Sequence, residues 1–293
     1  MPHERLTVLK TYKLYIGGKF PRSESGRTMP AKKQSDGTHL AHYSHASRKD
    51  LRDAVVAARS AFAGWRKATH YLRGQILYRA AEMMEGRRQN FLDEIQALTN
   101  QPIKDISREI DASVDRLVQF AGWSDKYAQI FSSVNPVASP HHNWTEPDPV
   151  GVVGVISPDE PSLLGLVTMI ASTIVSGNSL VAITSETAPL PAITLAEVFA
   201  TSDLPAGVVN ILTGKRAELA PWLANHMDVN AIVDASGDNE IAKTISRGAS
   251  KNLKRISSRP VEDSEDWYGE PGSDPYRILD TVEFKTTWHP VGA

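Results

Sequence analysis

Four short runs rich in Val, Ile, Leu and Ala recur at 150–156, 179–184, 208–213 and 231–234, and a fifth, more polar run around Ile256 follows at 253–257. Helical stretches near 163–175, 187–200, 216–225 and 238–248 separate them. A helix between each two rules out a tight hairpin and supplies the crossover that parallel pairing needs. The rhythm therefore predicts a parallel sheet with helices on both faces, an α/β fold. No repeat with a period of 20–50 residues competes with this reading.

The region before it is mostly helical. Residues 12–20 alternate around Gly17-Gly18, which predicts a small hairpin, and 26–45 reads as polar and irregular. Ser47 and Asp50 form a capping-box pattern ahead of Leu51, Ala54, Val55, Ala58 and Phe62. Further helical patterns cover 72–85, 89–99 and 103–131, the last with Ile106, Ile110, Val114, Leu117, Phe120 and Ala121 on one face. Pro136, Pro140, Pro147 and Pro149 mark 132–149 as an excursion. The acidic, Gly- and Pro-rich stretch 259–275 reads as loop. A last strand puts Val282, Phe284, Thr286 and Trp288 on one face, with Glu283, Lys285 and Thr287 on the other.

Composition excludes several functions. With a formal net charge of −2, the chain has no cation excess to neutralise phosphates, so no nucleic-acid partner is expected. It contains no cysteine, which removes disulfides, thiolate metal sites and a cysteine nucleophile. The longest apolar-rich region, 163–175, is too short to span a bilayer, and the first residues hold no apolar stretch of signal-peptide length. No membrane association and a cytoplasmic location are the expectations.

The stretches GVVGVISPDEPSLLG, STIVSGNSLVAITSE and LPAGVVNILTG together resemble the cofactor domain of the aldehyde dehydrogenase superfamily. The resemblance runs from YIGGKF near residue 15, through AVVAARSAFAGW (54–65), to Arg259, and resumes at VEFKTTW (282–288). It implies a Rossmann-like sheet with an N-terminal helical layer, an oligomerisation hairpin and an oligomerisation strand. Divided accordingly, 1–131 holds the N-terminal hairpin and helices and 132–149 the oligomerisation hairpin. Residues 150–259 form the Rossmann-like part, 260–277 an acidic linker and 278–293 the terminal oligomerisation strand.

The family's chemistry requires a thiolate, an oxyanion donor, a carboxylate base and NAD(P). The catalytic domain would begin after about residue 260, but the residues beyond that point match the family's end, so the resemblance implies that this lobe is deleted. In Pro158-Asp159-Glu160-Pro161-Ser162, Glu160 takes the place of the family's asparagine donor. A carboxylate repels a developing oxyanion, and losing one donor costs about 10²–10³ in rate. After Leu253-Lys254-Arg255, Arg259 occupies the general-base position and cannot accept a proton. No catalytic residue is therefore expected.

On the cofactor side, the ribose-binding lysine is replaced by Ile183 in Ile183-Thr184-Ser185-Glu186. The phosphate turn reads Val233-Asp234-Ala235-Ser236-Gly237, with Asp234 and Asp238 set against a pyrophosphate. Ser185, Glu186, Ser236 and Gly237 remain as vestigial cofactor contacts. The expectation is no bound cofactor. The alternative is weak NAD(P) binding with the loop shifted at Gly237.

Other clusters read as ordinary surface. His39, His42 and His45, spaced by three, are solvated strand or loop residues rather than metal ligands, and His141-His142 packs at a surface or interface. Asp159-Glu160 is an acidic turn whose side chains diverge. Glu262, Asp263, Glu265 and Asp266 belong to a disordered linker, so no metal site is expected. GxSxG, P-loop and HExxH patterns are absent.

A strand with Phe284 and Trp288 exposed needs a partner, because an unpaired apolar edge aggregates. These features together suggest a non-catalytic, pseudoenzyme-like subunit that joins a full-length aldehyde dehydrogenase as a hetero-oligomer and stabilises or regulates it. An NAD(P)-dependent aldehyde oxidoreductase with residual activity and a stand-alone nucleotide-binding sensor are the alternatives.

Overall fold

The computed structural model describes residues 6, 8–259 and 264–291. Strands β1 (Thr11–Tyr12), β2 (Thr28–Lys32) and β3 (His39–Ser44) form a small sheet in the order β1-β3-β2. The stretch 26–45 is thus an ordered hairpin and not irregular. Its outer face is polar, so the sequence shows no alternation, yet Ala31, Ala41 and Tyr43 are buried. The turn at Gly17-Gly18 is present, both at positive φ (58° and 75°). It docks on the main sheet, where Tyr15 and Ile211 exchange backbone hydrogen bonds of 3.0 and 2.8 Å.

Helix α1 (Arg48–Lys67) begins with the expected capping box, the Ser47 hydroxyl accepting from Asp50 N–H and the Asp50 carboxylate accepting from Ser47 N–H. Helices α2 (His70–Glu85), α3 (Arg88–Thr99) and α4 (Ile103–Trp123) follow. The helix expected over 103–131 is broken. Ser124 N–H bonds Ala121 O in a tightened last turn, and α5 (Tyr127–Phe131) starts in a new direction that carries Tyr127 into the core.

The segment 132–149 supplies β4 (Ser133–Val134) and β5 (His141–Pro149). Then come β6 (Val152–Ile156), α6 (Ser162–Ile174), β7 (Ser179–Ile183), α7 (Leu190–Ala200), β8 (Val209–Leu212), α8 (Arg216–Asn225), β9 (Ala231–Asp234), α9 (Asn239–Ala249) and β10 (Arg255–Ser258). The five strands pair in parallel in the order β10-β9-β6-β7-β8. Alternate side chains feed two cores. Val153, Val155, Leu180 and Ala182 pack on the side of α6 and α7, while Val152, Ile156, Val181 and Ile183 pack with residues of α1, α8 and α9. Strands β6, β7, β8 and β9 are buried on both faces, which is why they read as continuous apolar runs. Strand β10 forms an edge and is largely exposed, in keeping with its polar sequence.

Residues 264–281 correct the expectation of a disordered linker. They fold into a 3-10 turn (Ser264–Trp267), the short α10 (Glu270–Ser273) and a second 3-10 stretch (Pro275–Thr281). Trp267 and Ile278 enter the core. Arg116 donates to Trp267 O at 2.9 Å, and Arg108 grips Glu265 at 2.8 and 2.7 Å. Glu262 and Asp263 lie outside the described residues.

Strand β11 (Val282–Pro290) pairs antiparallel with β5 over its whole length, from Val282 opposite Pro149 to Pro290 opposite His141, giving a sheet ordered β11-β5-β4. Its inner edge is therefore satisfied within the chain, and only its outer edge is open among the described residues. Phe284 and Trp288 are 50% and 57% exposed, whereas Thr286 shares a 2.8 Å hydrogen bond with Thr145. No helix among the described residues is long and apolar enough to cross a membrane.

Candidate cofactor crevice

From β6 the chain moves outward through β7 to β8, then returns to the other side of β6 with β9 and β10. The reversal makes the gap between β6 and β9 a topological switch point, and ligands of open α/β sheets bind at the carboxyl ends of strands beside such a gap. The loops there carry Asp159 and Glu160 after β6, Ser185 and Glu186 after β7, Arg216 after β8, Ser236 and Gly237 after β9, and Arg259 after β10. The topology thus brings every sequence-predicted site residue of the sheet to one rim.

What they bond to differs from a receiving site. Asp159 accepts from the Ser185 hydroxyl and Glu186 N–H, both at 2.9 Å, and from the Arg216 guanidinium at 2.7 Å. Burial pushes the Asp159 carboxyl up, but Arg216, Ser185 and the amide outweigh it and hold the group below its usual range. The second arm of Arg216 donates to Ser157 O at 2.7 Å. Ser185 also accepts from Thr187 and Ala188 N–H at 3.2 and 3.0 Å, closing the turn into α7. Glu186 accepts from Arg216 N–H at 2.7 Å, so this carboxylate caps α8.

The phosphate turn is filled in the same manner. Asp234 accepts from Ser236 N–H at 2.9 Å, and Asp238 caps α9 by accepting from Glu240 and Ile241 N–H at 2.7 and 3.2 Å. Gly237 has φ of +69° with open space where a Cβ would lie, so its turn needs glycine for backbone reasons alone. Carboxylates of the chain itself thus engage the Ser236, Glu240 and Ile241 N–H groups, and the Ser236 hydroxyl accepts from Asp238 N–H at 3.3 Å. The rim residues do not fit a dinucleotide.

Glu160 and Arg259 have separate tasks. Glu160 is exposed and accepts from Gln101 at 2.7 Å, at the mouth of a cleft of about 260 Å³ that Arg108, Glu109 and Tyr268 also line. Adjacent Asp159 and Glu160 diverge, as expected. Arg259 forms a fork with Asp280 at 2.9 and 2.8 Å, and this pairing raises its already high pKa. Its N–H also bonds Asp234 O at 2.7 Å.

Sequence reasoning missed Arg216 and Glu109. Arg216 follows Gly214-Lys215 without a local pattern, and only the fold shows where its guanidinium reaches. Glu109, buried on α4, accepts from Leu163 and Leu164 N–H at 2.8 and 3.2 Å and caps α6 across the core. Its signal was a lone acid on the apolar face of α4, beside Ile106 and Ile110. His45 was expected to be solvated but is buried against Glu218 at 3.3 Å, and burial lowers its pKa. His39 and His42 lie on β3 with ring centroids 4.4 Å apart. Among the described residues no cluster of His, Asp and Glu could hold a metal.

A doubly covered parallel sheet with its crevice at this switch point defines a Rossmann-like α/β domain by class. The family model described as "Aldehyde dehydrogenase family" matches residues 20–259, and the chain belongs to that family. It is 33% identical over 261 residues to the cytosolic 10-formyltetrahydrofolate dehydrogenase of Mus musculus, covering 87% of this chain and 29% of that protein. To the mitochondrial benzaldehyde dehydrogenase of Antirrhinum majus it is 33% identical over 253 residues, 84% of this chain and 46% of the other. The NAD+ complex of an aldehyde dehydrogenase from Bacillus cereus superposes with a TM-score of 0.80 at 26% identity, over 85% of this chain and 50% of that one. The chain spans half or less of the length of the curated relatives it matches.

Proposed function

We propose that this chain is a non-catalytic aldehyde dehydrogenase-like subunit that assembles with a full-length aldehyde dehydrogenase and stabilises or regulates it, with the cytoplasm as its compartment. The observation that carries this reading is the Arg259–Asp280 fork. A residue at the family's general-base position is a permanent cation, spent on tying β10 to the segment that leads into β11. Glu160 in place of an oxyanion donor supports the same conclusion. The outer edge of β11 and the half-exposed Phe284 and Trp288 offer main-chain hydrogen bonds and apolar area to a neighbouring subunit.

Co-expression with a full-length homologue from the same genome, followed by native mass spectrometry, tests the reading. A mixed complex is expected, and it should be lost with Phe284→Asp/Trp288→Asp. Both side chains are half exposed, so the variant should stay folded with its melting temperature lowered by only a few degrees. Recovery of the chain only as a monomer or self-oligomer overturns the proposal, as does a mixed complex indifferent to the double variant.

A further inference from the structure

Three of the four helices that start at the crevice rim share one feature, the exception being α7, whose entry is closed by the Ser185 hydroxyl. An N-terminus attracts anions because its first N–H groups lack partners and the peptide dipoles add there. In this chain a carboxylate of its own caps α6 (Glu109), α8 (Glu186) and α9 (Asp238). Each comes from a different place: from α4 across the core, from the loop after β7, and from the residue just before the helix. The sheet therefore presents a crevice whose anion-binding ends carry internal anions.

Arg216 completes the closure. Its side chain is only 7% exposed, although arginine usually keeps its head in water. It starts at the first residue of α8 and reaches over the carboxyl end of the sheet to Asp159 and Ser157 at the end of β6, beside the switch point. Its Nε and the Ser157 hydroxyl are buried without a hydrogen-bond partner, so the bridge carries a desolvation cost that its fork to Asp159 and Ser157 offsets. A planar fork bonded to a carboxylate and a carbonyl holds one geometry better than a lysine would.

We propose that Arg216 is an intramolecular occupant of the dinucleotide crevice, and that its bridge to Asp159 and Ser157, together with the Asp238 cap, closes the site to NAD(P). The aldehyde dehydrogenase fold then stands without its cofactor, with a side chain in the ligand's place. Closure of the crevice is independent of assembly with a partner, so either proposal can fail while the other holds.

The test is calorimetry and thermal shift with millimolar NAD+ on the wild type and on Arg216→Ala/Asp238→Ser. Serine keeps a capping hydroxyl for α9 without the charge. The wild type should give no saturable heat and no shift. The double variant should bind at least tenfold more tightly than the wild-type detection limit and melt higher with NAD+ present. Should the double variant fail to fold by circular dichroism, Arg216→Lys/Asp238→Ser takes its place, since lysine keeps the stem and charge but cannot form both bonds. Saturable NAD+ binding by the wild type overturns the proposal, and so does a folded variant that gains none.

Discussion

Glu109 is the residue whose protonation the fold disturbs in the most testable way. Burial raises its pKa, the Leu163 and Leu164 N–H groups pull it partly back, and Glu160 nearby pushes it up again, for a net rise above 4.5. Between 4.5 and the raised value the native state binds more protons than the unfolded chain. Stability from this group is therefore greatest below 4.5 and falls as pH rises through that window. His45 acts oppositely: its pKa is lowered, so stability falls as pH drops below 6.5 toward the folded value. The difference between wild type and Glu109→Gln isolates the carboxyl, because glutamine keeps an oxygen for both amides. The variant should be as stable as the wild type or more so at neutral pH, and it should lack the wild type's gain as pH falls toward 4.5. Melting temperatures measured across pH check this.

At the scale of elements, 264–281 has the most to teach. Trp267 is 1% exposed among core residues, so Trp267→Ala should lower stability by about 3–5 kcal/mol in urea unfolding, the usual result of truncating a buried aromatic. A linker would tolerate it. The sequence hid this because Glu, Asp, Gly and Pro dominate the composition while one tryptophan and one isoleucine do the anchoring. Gly272 belongs to the same economy, since a Cβ there would lie 2.1 Å from Trp267 O. Strands β6 to β9 were legible because double-sided burial writes itself as runs of Val, Ile, Leu and Ala, and β10 because it continues their alternation with helices. The capping box of α1 was legible because it is local. β2 and β3 were not, since their outer face is polar and only Ala31, Ala41 and Tyr43 betray the inner one. At the crevice, Asp234, Asp238, Glu160 and Arg259 could be placed from motif positions. Arg216 could not, because it is defined by Asp159 and Ser157, more than fifty residues away.

For the whole molecule the decisive question is how the outer sheet is joined to the Rossmann-like body. Asn178 bonds Thr281 O at 2.7 Å, Arg66 forks onto Asp148 of β5, Arg255 donates to Val282 O, and Arg259 holds Asp280. These bonds link both ends of the junction, so the sheet should unfold with the body in one transition. A double-mutant cycle on Arg259→Ala and Asp280→Ala should return a coupling of about 1 kcal/mol, modest because both groups are partly solvated. Zero coupling in that cycle would mean that the fork does not hold the junction.

The carboxylate caps and the Arg216 bridge have a metabolic consequence. A ligand stabilises a fold in proportion to its own concentration relative to its dissociation constant, so enzymes that hold a nucleotide gain or lose stability with the cell's supply. Groups built into the chain are at constant effective concentration and never dissociate into a pool. If the proposed closure holds, a fold whose crevice is filled by Arg216 and capped by Glu186 and Asp238 would have a stability that does not follow the nucleotide supply. In a mixed assembly it would be the subunit whose shape stays the same when the nucleotide pool is empty.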